Sequence, residues 1–252
     1  AYYFETNDNF AGDRLGDREI TRDFSEETWG VTLGGPVIKD KLFFFVAYDK
    51  YEEAASLNRG PLGSGALNEA TGVTTQDIAD ITNIMTSTYG FDPLAFTGGV
   101  PPVEDEKILA SLDWNITNTQ RAKFTYILTE GAQILEQSGN AFVGPSADLG
   151  FPSDWYENSE RVESFIGHLF SDWTPNFSTE LKIAKTTQAT GQDSLGGAEF
   201  PLFVIDTPNG GTIALGPDTF RHGNELDQEF MQYKLAATYV LGDHTFKAGI
   251  ER

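Results

Sequence analysis

The chain has 252 residues, with 38 Asp and Glu against 17 Lys and Arg, and its formal net charge is −21. Phosphate backbones and anionic lipid headgroups repel such a charge, which argues against nucleic-acid binding and against peripheral binding to acidic membranes. The absence of Cys excludes disulfides and thiolate zinc sites. The longest apolar run, from Leu42 to Tyr48, is far shorter than the roughly 18 residues of a transmembrane helix. Because 13% of the residues are aromatic and 39% hydrophobic, we expect a folded chain.

Alternation of apolar and polar residues with a period of two predicts antiparallel strands through most of the chain. It is clearest from Lys107 to Asn115, where every second residue is apolar, and a short turn leads into a second such segment from Arg121 to Leu128. With an N-terminal strand in residues 1–10, we count about nine strands. Eight of them form hairpins, which join 29–33 with 41–51, 107–115 with 121–128, 161–173 with 178–190, and 231–241 with 244–252.

The connections between the hairpins are long and acidic. They run to roughly thirty to fifty residues, whereas globular domains usually use about 4–6. Segments 6–27, 52–106, 130–160 and 191–229 hold 29 of the 38 acids and only 5 of the 17 bases. Short turns that alternate with long loops, and acids that collect in those loops, are typical of transmembrane β-barrels, in which strand charges must face the lumen. The sequence therefore predicts an all-β, antiparallel transmembrane barrel with long extracellular loops.

Strand parity separates a lipid-facing set from a lumen-facing set. We expect the first set to face lipid: Phe124, Tyr126, Leu235 and Tyr239. We expect the second set to face the lumen: Lys123, Thr125, Lys234 and Thr238. Trp114 and Trp173 have the apolar parity beside short turns, where the aromatic girdle of a barrel lies, although the same position would suit residues that cap a soluble sheet.

One long loop is predicted to contain a helix from Thr75 to Tyr89. Its apolar residues Ile78, Ile81, Ile84 and Met85 have helical spacing. Thr74 or Thr75 suits the N-cap, Asp77 falls in the first turn and Gly90 would end the helix. A small packed lid is the simplest interpretation, and a helix that binds a partner is the alternative.

The segment TLGGPVIKDKLFFFVAYDKY, residues 32–51, resembles an early barrel hairpin of TonB-dependent outer-membrane receptors, in particular the Oar-like group. Residues 1–10, 110–131, 171–185 and 242–252 resemble other strands and hairpins of that family, in the family's order. The resemblance implies a barrel of about 22 strands with an N-terminal plug, located in the bacterial outer membrane and energised by TonB. It covers the strands and little of the long loops.

Several parts of that family's architecture are not recognisable in this sequence. We find no plug, TonB box, N-terminal regulatory domain or C-terminal aromatic assembly signal. The chain opens at Ala1 without Met and stops at Arg252 within an apparent strand. We therefore expect residues 1–252 to be an incomplete barrel domain, with three partners: outer-membrane lipid, an extracellular ligand, and the TonB complex reached through an N-terminal part outside this sequence.

The residues do not predict an enzyme, a cofactor or a metal site. His168, His222 and His244 lie far apart and lack ligand spacing. Ser164, His168 and Asp172 share a parity, but residues four apart on a strand are about 13 Å apart, too far for a triad. The acid groups Glu104-Asp105-Glu106 and Asp8, Asp13 and Asp17 miss the spacing of a calcium loop, and solvated acidic loops explain them better.

Segments 52–106, 130–160 and 191–229 are expected to capture the ligand, since they carry 22 acids against two bases. Their aromatic residues would contribute to that surface: Phe91, Phe96, Phe142, Phe151, Trp155, Tyr156, Phe200 and Phe203. Such a surface suits a cationic, peptide-like or metal-loaded ligand, or a sugar stacked on rings. Three alternatives remain open: acids that only keep the surface soluble or bind divalent ions, a non-transporting adhesion barrel, and a soluble secreted glycan-binding β-protein.

Overall fold

A computed structural model describes residues 1–12, 14–19, 24–55, 59–66, 68–96, 103–136, 147–219 and 224–252. Within these ranges the chain forms sixteen strands and one α-helix, α1 (Thr75–Ile84). The strands are β1 (Tyr2–Asn7), β2 (Arg14–Leu15), β3 (Arg18–Glu19), β4 (Phe24–Ile38), β5 (Leu42–Ala55), β6 (Arg59–Leu62), β7 (Asn68–Thr74), β8 (Val103–Asn115), β9 (Gln120–Leu135), β10 (Leu149–Gly150), β11 (Tyr156–Thr174), β12 (Phe177–Ser194), β13 (Phe203–Asp206), β14 (Thr212–Leu215), β15 (Glu225–Leu241) and β16 (His244–Glu251).

Nine of these strands form one antiparallel sheet, in the order β1-β4-β5-β8-β9-β11-β12-β15-β16. The nine strands of this sheet confirm the predicted number of barrel strands, and all four predicted hairpins are confirmed. Each turn is short; after β4, for example, Asp40 takes a left-handed φ of 62° and Lys41 N–H donates to the Ile38 carbonyl at 3.0 Å. The strands run further toward the long connections than predicted, and two of those connections, 8–23 and 136–155, are shorter than thirty residues.

The register divides the large sheet into two faces. Phe124 lies beside Leu112 of β8 and Gly167 of β11, whereas Lys123 lies beside Asp113 and His168. We call these the apolar face and the polar face. Most large exposed hydrophobic side chains of the sheet lie on the apolar face. Among them are Leu112, Trp114, Phe124, Phe165, Trp173, Leu181, Ile183, Tyr233, Leu235, Tyr239 and Ile250. The predicted separation by parity is confirmed.

Charged residues also lie on the apolar face, which corrects the expectation that strand charges all share the polar side. The paired ones lie in the half of the sheet nearer the long connections, and Lys185 comes directly opposite Phe165. Lys50 Nζ lies 3.8 Å from Glu106 Oε1, Lys185 Nζ lies 2.9 Å from Glu229 Oε2, and Arg161 pairs with Glu130. The strands extend past the apolar band, so their outward charges need not enter hydrocarbon.

Three long connections pack together into one unit, which we call the loop cap (59–66, 68–96, 147–155 and 195–219). Its core consists of Val73, Met85, Leu149, Phe151, Ile213 and Leu215, all nearly inaccessible. Backbone hydrogen bonds link the connections: Phe151 N–H donates to the Ala214 carbonyl at 2.8 Å and Ser153 N–H to the Pro93 carbonyl at 3.1 Å. The predicted solvated loops therefore contain a folded core of their own.

Glycine allows two connections of the loop cap to touch through their backbones. A Cβ atom on Gly72 would lie 2.5 Å from backbone atoms of Gly211, and a Cβ on Gly211 equally close to Gly72. The Thr207 hydroxyl bridges the same contact, since it donates to the Gly72 carbonyl at 2.6 Å. Any side chain at either glycine would force the connections apart.

The predicted helix is confirmed as α1 followed by a π-helical turn, Met85–Tyr89. Thr74 is the N-cap, and Gly90, with φ of 65°, ends the helix. Met85 is buried in the core of the loop cap, and Ile78 and Ile81 pack against it, as the interpretation of a packed lid requires. In the described ranges, neither α1 nor any other helical turn has the length and hydrophobicity of a transmembrane helix.

Candidate functional site

A concave site on the polar face lies at the end of the sheet near the long connections. We call it the mouth pocket; its volume is about 470 Å³. Five strands contribute to it, because β4, β5, β8, β9 and β11 lie side by side there. Its lining on the polar face comprises Thr28, Asp49, Tyr51, Val103, Asp105, Lys107, Thr129, Gly131, Gln133, Asn158 and Glu160.

Gly131 gives the mouth pocket its shape. It lies between Asp105 of β8 and Glu160 of β11 in the register of the sheet. A Cβ atom at this position would approach Asp105 Oδ2 to 3.2 Å and the Glu104 carbonyl to 3.3 Å. Because glycine projects no side chain, the carboxylates of Asp105 and Glu160 border an open space.

Hydrogen bonds orient several polar groups of the mouth pocket. The Tyr51 hydroxyl donates to Glu53 Oε2 at 2.9 Å, which fixes the direction of the phenol. The Gln188 amide donates to Glu160 Oε1 at 2.9 Å, and the Gln192 amide donates to Asn158 Oδ1 at 3.4 Å. The second carboxylate oxygen of Glu160 can still accept a hydrogen bond from a bound molecule, and the side-chain NH2 group of Asn158 can still donate one.

The mouth pocket is acidic. Lys107 is its one base, and it forms an ion pair with Asp105 and lies directly opposite Asp49 in the register. Glu160 adds a further carboxylate, so the polar lining is net negative at neutral pH. Carboxylates, amides and one aromatic ring form a set of groups that can bind an ammonium or guanidinium group, or vicinal hydroxyls.

The aromatic residues predicted for ligand capture occupy a different place. Phe151, Trp155 and Tyr156 are buried, and Phe91 and Phe200 stack with ring centroids 3.9 Å apart. Burial removes these rings from contact with any ligand, so the prediction is wrong for Phe151, Trp155 and Tyr156. Three further members of the predicted set have other positions: Phe96 packs on Phe151, Phe203 is exposed, and Phe142 lies outside the described residues.

The other residues considered from the sequence are also dispersed. Ser164 shares a hydrogen bond of 2.8 Å with Thr186, a residue on the neighbouring strand. The acids at 104–106 belong to β8, where Asp105 faces the mouth pocket and its two neighbours point to the opposite face. Within the described ranges, no three His, Asp or Glu side chains come together as a metal site. Asp13 and His222 lie outside those ranges.

Most residues of the mouth pocket lie outside the predicted strands, because the predictions for β4, β8, β9 and β11 are too short. Asp105, Gln133, Asn158 and Glu160 fell in segments that were interpreted as loops. The signal was present, since Asn158, Glu160 and Val162 continue the polar-face parity of β11. High acid content made the extended strand ends look like solvated loop.

Comparison with known proteins identifies the class of the sheet. A family model described as an outer membrane beta barrel domain matches residues 1–86. No curated protein matches the sequence. Among solved structures, the CymD monoaromatic hydrocarbon channel is 14% identical, with 91% of this chain and 59% of that chain covered and a TM-score of 0.33. The Pseudomonas putida toluene transporter TodX is 13% identical, with 92% and 56% covered and a TM-score of 0.33.

The chain spans less than two thirds of the length of these two channels. Its antiparallel sheet, with one apolar and one polar face, and the family match over residues 1–86 define it as the wall of an outer-membrane β-barrel. The protein is therefore located in the outer membrane. In such a barrel the apolar face contacts lipid, the polar face lines the lumen, the short turns are periplasmic and the long connections are extracellular.

Proposed function

We propose that the protein is part of a TonB-dependent receptor of the Oar-like group, which binds a ligand at its extracellular end and imports it into the periplasm. The observation that carries this proposal is the mouth pocket, an acidic concavity on the lumen side at the extracellular end of the barrel wall. A ligand held there lies at the entrance to the lumen. The segment at 32–51 that resembles this family supports the assignment to the Oar-like group.

The ligand class that the mouth pocket favours is a molecule with a positively charged group, such as a basic peptide. Asp49, Asp105 and Glu160 supply negative charge, and the aromatic ring of Tyr51 in the lining is a further group that attracts cations. A sugar would use the same carboxylates and amides through its hydroxyls, but it would not respond to the net charge of the site. An acidic entrance also attracts a cationic ligand over distances of about 8 Å at physiological salt.

The proposal can be tested with cells that express the full-length protein and two fluorescent peptides of equal length, one rich in Lys and one rich in Asp. We expect the basic peptide alone to accumulate in the periplasm, more slowly at higher ionic strength, and only in cells with an intact TonB system. The double variant Asp105→Asn with Glu160→Gln should reduce its uptake about tenfold, since two solvated charge contacts of about 0.7 kcal/mol each add up to about 1.4 kcal/mol.

The matched control is the double variant Glu106→Gln with Asp227→Asn, which removes two acids from the apolar-face side of the same sheet. It changes net charge by the same amount and should leave uptake unchanged. Equal loss in both variants would assign the effect to surface charge in general. Binding that persists without TonB, with no accumulation in the periplasm, would favour the non-transporting adhesion barrel.

A further inference from the structure

A line of basic side chains crosses the polar face near the periplasmic turns, far from the mouth pocket. The register places one residue of each of four consecutive strands side by side. We call this set the basic row; its members are Lys123, His168, Lys182 and Lys234. Directly opposite residues of antiparallel strands lie about 5 Å apart, so the basic row spans about 15 Å.

Such a row is unfavourable by itself, because like charges directly opposite each other destabilise a sheet. The wall compensates one end of the row, where Glu251 lies directly opposite Lys234 in the register. Lys234 Nζ lies 3.1 Å from Glu180 Oε1. Asp113 is the direct neighbour of Lys123, but its carboxylate lies 3.8 Å from Arg121 Nε. Among the described residues, no carboxylate lies within ion-pair distance of Lys123 or Lys182.

His168 lies at the centre of the part of the row that has no ion pair within the described ranges. It lies between Lys123 and Lys182 in the register, and its Nε2 atom is buried with no hydrogen-bond partner in the described part of the chain. A polar atom without a partner is unusual, and an ion that bonds to it is one explanation. An oxyanion between the two lysines would neutralise them and could also bond to His168.

We infer that the basic row is a binding site for an oxyanion group, a carboxylate or a phosphate, on the lumen wall near the periplasmic end. Lys123 and Lys182 bind the oxyanion, and His168 donates a hydrogen bond from between them. The group belongs either to a free solute in the lumen or to an acidic side chain of a protein segment that enters the lumen. The chemistry of the site is the same in both cases, and the acidic mouth pocket is a separate site.

The first test uses the purified full-length protein in detergent, labelled with ¹³C in histidine. Inorganic phosphate is titrated at constant ionic strength, with chloride as the balancing anion, and the His168 resonance is assigned from the variant His168→Gln. We expect a saturable shift of that resonance and no shift of His244, which lies at a short turn. Lys123→Gln and Lys182→Gln should each weaken the apparent phosphate affinity about tenfold.

The matched control is Lys185→Gln. Lys185 lies on the same strand as Lys182 but on the apolar face, paired with Glu229. Its removal takes away one positive charge without touching the basic row, so the phosphate titration should stay unchanged. Loss of the phosphate response in Lys185→Gln, together with an unchanged response in Lys182→Gln, would overturn the inference.

The second test identifies the source of the oxyanion when it is part of a protein. A zero-length carbodiimide joins a lysine to a carboxylate in contact with it, and mass spectrometry identifies the two peptides. The pair Lys234 with Glu180 is the internal positive control. A link from Lys123 or Lys182 to a carboxylate outside the wall identifies a protein segment, whereas a phosphate response without such a link identifies a free solute. If neither appears while the control pair is linked, the basic row has no oxyanion and the inference is wrong.

Discussion

The loop cap buries its apolar side chains, whereas the large sheet exposes many of its apolar side chains on one face. In the loop cap, Phe151 and Ile213 are completely inaccessible, as in a water-soluble domain. In the sheet, Trp173 is 60% exposed and Leu235 is 51% exposed, and both lie on the apolar face. The difference follows from the solvent, because hydrocarbon removes the reason to bury apolar side chains inside the protein. One chain thus has two organisations, and each responds differently to the same substitution.

The largest expected effect is the loss of a core ring in the loop cap. Phe151→Ala should destabilise the cap by about 3–5 kcal/mol, because it removes a buried ring and leaves a cavity. Hydrogen exchange of the β14 and α1 amides, measured on membrane-inserted protein, would report this loss. Phe124→Ala is the matched control on the apolar face, where lipid can fill the space, so β9 should keep its protection. Similar losses at the two sites would contradict the contrast between the two regions.

The next effect compares the two faces of the sheet. Phe124→Arg places a charge in the lipid-facing band and should cost roughly 2–4 kcal/mol, whereas Thr125→Arg adds the same charge to the lumen side at much lower cost. Urea titrations of refolding into phospholipid vesicles would measure both. Equal costs would mean that the apolar face does not contact hydrocarbon.

The sheet could be predicted from the sequence because two alternating faces leave a period of two in every strand. Tyr233, Leu235 and Tyr239 show that period whether their surroundings are lipid or protein. The helix was predictable for a similar reason, since Thr74 and Gly90 act locally at its two ends.

The loop cap and the mouth pocket depend on contacts between distant segments, and no local pattern records those contacts. Phe151 packs with residues more than sixty positions away, such as Ile213, so its burial could not be predicted from its neighbours in the sequence. Asp105 and Glu160 meet at the mouth pocket only because β8, β9 and β11 are adjacent. The acidity of these segments indicated solvated loops, and the alternation of side chains that indicated strands was the weaker of the two patterns.

A smaller effect concerns the N-cap of α1 within the loop cap. The Thr74 hydroxyl accepts a hydrogen bond from Asp77 N–H at 3.2 Å, and Thr74 N–H donates to Asp77 Oδ2 at 2.8 Å. Thr74→Ala should therefore destabilise α1 by about 1 kcal/mol, which hydrogen exchange of its first-turn amides would detect. Thr75→Ala, one residue further along, leaves this capping box intact and should have little effect. If the two substitutions had equal effects, the assignment of Thr74 as the N-cap would be wrong.

The smallest effect is a dependence of α1 on pH. The Thr74 hydroxyl, and then its backbone N–H, donate to the Asp77 carboxylate and hold the pKa of that carboxyl below its usual value of 3.8. Because the pKa is lower in the folded state, the charged carboxylate stabilises the helix at all pH values above 3.8, and this contribution is lost as the pH falls through the folded-state pKa. Opening of the α1 amides, measured by hydrogen exchange and corrected for intrinsic rates, should therefore increase below that value. Asp77→Asn should remove this pH dependence, while Asp80→Asn, on the same helix, should keep it. An increase of equal size in Asp77→Asn would assign the pH dependence to other carboxyl groups of the loop cap.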